Sequence, residues 1–438
     1  MAAIDSRPSD LHPTLSRSDV LENLFGSTAA LESAQRELQK MLRDRGIFFG
    51  EGLLPTYAYA FVSTHDQIAR WAQQAELLIA AAEHHTRQLI SDALSEDTQS
   101  MSRENVELIL TNPGYERTCV ICRPDAIPVG PDLKFVELNC DSPAMMMFLD
   151  IVAQCLFELA PFAALHAVVK PPSAADILLD SLLGCYQEFG GKVSPTIAIV
   201  DWQGQKTRFE HQRLAEHFEA RGYSTIVCDP RTFQLVDGKL EHEGRQVHLV
   251  YRRALASEML SRRKDISALL DAYRDGTICM VNPLRSYLSS HKSLLTHLVA
   301  ADLPRELKAA ANLVPQTILL DNEETRAMVT SSPGKWVLKK SEGHGGMNVV
   351  LPMVSSRKSW RDAMDASSRD VWIAQDYLDV PRMAVPVVEG DSMVWQVKYF
   401  NWNPFVFGGR YAGGLVRVST TPLINITQGG GLLPTLFT

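Results

Sequence analysis

Apolar residues recur at three- and four-residue spacing from Leu31 to Arg45 and from His65 to Ser95, with Glu, Gln and Arg between them. This spacing predicts two amphipathic helices. The period then changes. The runs "RTCVICRPDAI" and "LKFVELNC", joined by the turn-forming "PVGPD", predict a β-hairpin. Helical spacing returns from Ala144 to about Glu188. Beyond it, the apolar run Thr196–Trp202 reads as a buried strand, "KTRFEHQRLAEHFEARG" as a helix ending at Gly222, and "YSTIVCDP" as a second strand. "HLVYRR" (His248–Arg253) makes a third. Strand, helix and strand at this spacing predict a small parallel sheet with a right-handed crossover. It is not a dinucleotide site, because "DWQGQ" offers one glycine where the fingerprint needs three.

The remaining pattern is mostly β. "NPLRSYLSSHKSLLTHLVA" (Asn282–Ala300) reads as a loop entering a helix, and Gln316–Asp321 as a short strand. "GKWVLKKSEGHGGMNVVLP" predicts a hairpin around a glycine loop. "VWIAQDYLDVP" (Val371–Pro381) predicts a strand running into an extended linker. Three further β-rich stretches close the chain: "SMVWQVKYFNW", "PFVFGGRYAGGLVRVS" and "LINITQGGGLLP".

Composition narrows the class of protein. The chain has 438 residues, more than one typical core, with 45% hydrophobic and 21% charged residues, as in ordinary globular proteins. A net charge of −8 without a basic patch argues against nucleic-acid and anionic-membrane partners. The beginning of the chain lacks an apolar signal core. The most apolar stretch, Ile151–Val169, carries Gln154, Glu158, Pro161 and His166 and suits a buried helix pair better than a membrane span. Seven scattered cysteines suit a reducing, cytoplasmic setting, and a homodimer is compatible with all of this. On a regular strand, Cys119 and Cys122 point to opposite faces, so metal or redox use of this CxxC is not expected.

Candidate chemistry begins at "FVELNCDSP". Glu137 and Asn139 are two apart on a strand and share a face; with Asp125 on a neighbouring strand they would offer three oxygen ligands. Mg²⁺ favours a few such oxygens plus substrate phosphates. Taken alone, a Glu-x-Asn is first of all what a solvated strand face shows. Gly343, Gly345 and Gly346 would let backbone N–H groups approach phosphate oxygens, with Lys339 on the incoming strand as a point charge. The same glycines also suit a plain hairpin tip, and no Walker A pattern is present. Lys292 by itself reads as a helix surface residue, and Gln375–Leu378 as an interdomain connection.

The ordered set carries more than its members. An Arg-x-Asp and Glu-x-Asn strand pair comes first, then an α/β unit, "SSHKSLL", Lys339 with its glycine loop, "QDYL", and a terminal "RVS". From about Arg117 onward this resembles the circularly permuted ATP-grasp ligases, the group that includes the glutathionylspermidine synthetase domain.

The resemblance implies an α+β/α/β chain. In it, a helical region (1–112) would shape the substrate pocket and a first part of the ATP-grasp core (113–192) would carry the metal ligands. An inserted small parallel α/β subdomain (193–281), a lid and nucleotide-binding subdomain (282–385) and a β-rich return to the core (386–438) would follow. It implies that Asp125, Glu137 and Asn139 hold one or two Mg²⁺ ions and that Arg123 contacts the transferring phosphoryl group. Lys292 and Lys339 would bind the ATP phosphates under a lid of Gly343, Gly345 and Gly346. Gln375, Asp376, Tyr377 and Leu378 would line the adenine, and Arg417 would add an anion contact. The implied activity is ATP-dependent joining of a small carboxylate and a small amine, with ADP and phosphate released. Unlike members with a fused papain-like amidase, this chain shows no such domain ahead of the ligase region. Two alternatives stand beside it: a phosphotransferase on the same cradle, and an inactive nucleotide-binding scaffold.

Overall fold

The computed structural model describes residues 27–92, 98, 101–163, 172–300, 303–343, 346–352, 354–389, 392–424, 426 and 430–437. Three hydrophobic cores organise them.

A seven-stranded sheet forms the centre. Its order is Phe61–Ser63, Gly431–Phe437, Arg410–Ser419, Ser392–Phe407, Ile121–Val129 and Asp132–Asn139, and Arg382–Glu389 pairs with Ser392–Phe407. The expected hairpin is present, turning at Gly130, whose φ of +59° suits a residue without Cβ. The first helical region holds more than helix. The helices Thr28–Asp44 and His65–Asp92 are present, but Phe61–Ser63 between them adds a parallel edge strand beside Gly431–Phe437. Ser392–Phe407 is one 16-residue strand, although the sequence pattern divides it at Pro404. The register shifts between Pro404 and Val406, so the proline sits at a bulge, where a missing N–H is tolerated.

The helical stretch over 144–188 resolves into Met146–Glu158, a short Ala160–Ala163 turn and Ala174–Glu188. The parallel α/β sheet has four strands, not three, in the order Cys279–Val281, Leu249–Arg252, Ile197–Val200 and Thr225–Cys228. Ile197, Ile199 and Tyr251 pack into the main core, whereas Ala198, Val200 and Val250 pack into the second. Burial on both faces is why these strands read as unbroken apolar runs. A small antiparallel sheet over 234–246, unmarked by any periodicity, hangs off this unit.

The third core belongs to an antiparallel sheet of order Thr317–Leu319, Trp372–Asp376, Trp336–Lys340 and Val349–Val350. Trp336, Leu338, Trp372 and Ala374 face that core. Strand alternation turns Val337, Lys339, Ile373 and Gln375 the other way.

One expectation fails in the main core. Cys119 lies ahead of the regular strand, so the CxxC does not split across two faces. The sulfurs of Cys119, Cys122 and Cys140 lie within 4.8 Å of one another, all fully buried. Burial pushes the Cys122 thiol well above its usual value, and nearby Glu83 adds to the shift. Among the described residues, no helix is long and apolar enough to cross a membrane.

Candidate active site

The central sheet and the Trp336–Lys340 sheet face each other across a cavity of about 620 Å³. All the residues singled out from the sequence line it, except Lys292 and Gly345. Gly345 and the adjacent His344 lie outside the described residues.

One wall is the hairpin of Ile121–Val129 and Asp132–Asn139. Cross-strand pairing sets Arg123 opposite Asn139 and Asp125 opposite Glu137. Asn139 Nδ2 donates to Asp125 Oδ1 at 3.3 Å. These two acids and one carboxamide are hard oxygen donors on a single face, a set that suits a magnesium ion carrying water and phosphate ligands. Arg417 donates from Nη2 to Asp125 Oδ2 at 2.5 Å, and to Asn403 Oδ1 at 3.1 Å. Its Nε reaches Asn401 Oδ1 at 3.3 Å. Asn401 and Asn403 are functional neighbours that the sequence reading passed over. Their signal was present, since "FNWN" puts two carboxamides on one face of the strand and the buried Phe400 and Trp402 on the other.

Arg123 donates from Nη1 to Ala144 O at 2.9 Å and approaches Asp125 Oδ1 from Nε at 3.8 Å. Its Nε is buried without a hydrogen-bond partner among the described residues. Such an orphan donor on a cavity wall fits an anionic ligand.

The pairing shifts between Asp125 and Ala126, which leaves Val136 as the residue without a cross-strand partner. Its carbonyl accepts a 2.8 Å hydrogen bond from Lys339 Nζ. Lys339 therefore links the two walls, and it also donates to Gln375 Oε1 at 2.7 Å. Gln375 is held in turn by donating to Thr317 Oγ1 at 3.0 Å. Burial pulls the Lys339 ammonium down to about 8, against the attraction of Glu137 and with the repulsion of Lys292. Lys340, one residue on, turns away and pairs with Asp370 at 3.2 Å.

Lys292 is no surface lysine. It lies buried in the break between the short helices Ser286–Ser290 and Leu294–Ala300, 3.1 Å from Glu137 Oε1. It also donates to Gly343 O at 2.6 Å, tying the glycine loop to the metal-ligand strand. Gly343 and Gly346 sit at φ +145° and +73°, in the left-handed region that a side chain disfavours. In the linker, the Asp376 amide donates to Gln316 O and the Tyr377 amide to Lys335 O.

Among solved structures, the chain is similar to a glutathione synthetase-like effector from Globodera pallida in its apo form. The TM-score is 0.62 at 10% identity, over 95% of this chain and 99% of that one. The fold is ATP-grasp-like. Weaker similarities are to a putative γ-glutamylcysteine synthetase from Methylobacillus flagellatus KT and to the ATP-grasp ligase PsnB with a minimal precursor, Mg and ADP. The first has a TM-score of 0.39 at 11% identity, covering 82% of this chain and 88% of the other. The second has a TM-score of 0.31 at 17% identity, covering 55% and 87%. No protein-family model matches the chain, and no curated protein matches it.

Proposed function

We propose that the chain is an ATP- and Mg²⁺-dependent carboxylate–amine ligase that makes an amide bond between small molecules and releases ADP and phosphate. One observation carries this reading: Asp125, Glu137 and Asn139 on one wall, with Arg123 and Arg417 on the same sheet, face Lys339 and Gln375 on the other. The name of the Globodera pallida protein, a glutathione synthetase-like effector, supports the same class.

A carboxylate does not acylate an amine at neutral pH, because oxide is a poor leaving group. Phosphoryl transfer from ATP turns that oxide into phosphate, and catalysis of the transfer is mainly positioning and charge neutralisation. Asp125, Glu137 and Asn139 would hold a magnesium ion, which would supply part of that neutralisation. Lys339 and Lys292 hold the ATP phosphates, while Gln375, Asp376, Tyr377 and Leu378 line the nucleotide. Arg123 neutralises the acyl phosphate and then the tetrahedral oxyanion as the amine attacks. The glycine loop over 343–346 excludes water, which would hydrolyse the acyl phosphate. The metal-ligand hairpin precedes the glycine-loop sheet in the chain, an order that supports the circularly permuted reading.

The test is nucleotide product analysis over a panel of amino-acid and polyamine pairs. ADP and phosphate release that needs both an acid and an amine supports the ligase. AMP and pyrophosphate overturn the acyl-phosphate route. A stable phosphorylated acid, formed without amine, identifies a phosphotransferase, and nucleotide binding without turnover identifies the scaffold.

A further inference from the structure

The segment from Asp141 to Met147 follows directly on the Glu137/Asn139 strand and passes beneath Arg123. Many of its polar anchors come from the parallel α/β unit, with Asn282, Ser286 and Arg123 adding others. Arg252, fully buried, pairs with Asp141 Oδ1 at 2.5 Å. Ser142 Oγ donates to Arg253 O at 2.5 Å, and Arg253 Nη1 donates to Pro143 O. Glu210 is fully buried on the helix Arg208–Ala220. Its carboxylate accepts the amide of Met145 at 3.0 Å and that of Met147 at 3.2 Å.

These amides open the helix Met146–Glu158. Its N-cap residue, Met145, has φ +88° and makes no capping bond with its own side chain. A left-handed backbone at a non-glycine residue persists only where the surroundings fix it. Glu210 supplies that restraint from another element, in the place where an N-cap side chain and a favourable anion would act. The residue just before Met145 is Ala144, whose carbonyl accepts Arg123 Nη1 at 2.9 Å. Asp125 approaches the Arg123 guanidinium at 3.8 Å, and Arg417, Glu137 and Glu210 also act on its charge through space.

We infer that Glu210 is a positioning residue for Arg123: by capping the helix at Met145 and Met147 it fixes the Ala144 carbonyl that aims the Arg123 guanidinium into the cavity. The inference rests on the role proposed above for Arg123. Glu210 lies outside the cavity lining and takes no part in the hydrogen bonds that hold Lys339, Lys292 and Gln375.

The experiment is a double-mutant cycle in the full chain, using Glu210→Ala, Glu210→Gln and Arg123→Ala, singly and combined. Glu210→Ala is expected to lower kcat about tenfold to a hundredfold, with KM for ATP within about twofold. Glu210→Gln keeps one acceptor oxygen and falls between it and the parent. The decisive reading is coupling: the Glu210→Ala/Arg123→Ala double variant is expected to be no slower than Arg123→Ala, within about threefold. Losses that multiply overturn the inference, since a general folding defect would add to the loss of Arg123. Where Glu210→Ala does not fold, Glu210→Gln carries the same cycle. If Arg123→Ala turns over normally, the role proposed for Arg123 falls, and if the parent shows no turnover, the ligase reading falls. The positioning claim is then decided by a crystal structure of Glu210→Gln: Arg123 displaced from Ala144 O supports it, and an unmoved Arg123 overturns it.

Discussion

Arg417 Nη2 lies 2.5 Å from Asp125 Oδ2, so a carboxylate suited to a divalent cation is already neutralised by a cation of the chain itself. Lys292 does the same for Glu137 at 3.1 Å. A metal ion arriving alone must displace both partners, whereas one arriving with nucleotide leaves them phosphates to bind. Nucleotide-free protein is therefore expected to bind Mn²⁺ weakly, and addition of ADP to tighten it. Arg417→Ala frees one carboxylate and is expected to strengthen Mn²⁺ binding to nucleotide-free protein about tenfold, equivalent to roughly 1.4 kcal/mol. Titration by electron paramagnetic resonance measures both. Equal Mn²⁺ affinity with and without ADP would refute the competition.

The two adjacent lysines should behave oppositely. Lys339 is buried between the walls, while Lys340 is half-exposed in a pair with Asp370. Lys339→Ala is expected to lower ATP turnover by about a hundredfold or more, as does Glu137→Gln, without unfolding the protein. Lys340→Ala removes a solvent-screened pair and is expected to stay within about twofold. Circular dichroism with steady-state ADP release decides the matter. Near-normal rates in both Lys339→Ala and Glu137→Gln sink the site assignment.

Lys339 also sets a pH dependence. Burial leaves the free protein's ammonium at about 8, below its ordinary 10.5, and phosphate bound beside it must raise that value. The complex then holds the proton more tightly than the free protein. By linkage, nucleotide affinity is constant below pH 8 and falls as pH rises above it, by at most about tenfold per pH unit. Calorimetry in buffers of different ionisation enthalpy should show proton uptake on binding at about pH 9 and little at about pH 7. Lys339→Arg, charged throughout, should abolish the uptake. Affinity that rises between about pH 8 and 9 contradicts the assignment.

Much of this site was legible because strands have a period of two. The parity of Arg123 and Asp125, of Glu137 and Asn139, and of Lys339 against Lys340 follows from sequence once the strands are recognised. What stayed hidden depends on register and on long-range contacts. No residue announces that Val136 falls out of register and turns its carbonyl to Lys339. Lys292 read as a surface residue because its burial depends on the glycine loop, some fifty residues away. Glu210 read as one more polar position on an amphipathic helix, yet it is fully buried against an element 63 residues earlier. Pro404 read as a strand end because a bulge that accommodates it leaves no local pattern.

The sheet that carries Arg417 also gives a stability prediction. A Cβ on Gly414 would lie 2.6 Å from the Trp402 indole, a distance no real contact sustains. Trp402 cannot retreat. It is fully buried, donates from Nε1 to Thr435 Oγ1 at 2.9 Å, and has the Trp71 ring 5.1 Å away. Gly414→Ala is therefore expected to cost about 1–3 kcal/mol by overpacking and to lower Tm by roughly 1–3 °C. Gly334, with nothing within 4 Å of its would-be Cβ, is the control, and Gly334→Ala should leave Tm within about 1 °C. Because Arg417 is three residues from Gly414 on the same strand, any shift of Trp402 should also reach Asp125 and weaken Mn²⁺ binding in the presence of ADP. Differential scanning calorimetry of the two variants checks the first expectation, and an unchanged Tm for Gly414→Ala contradicts the packing described around Trp402.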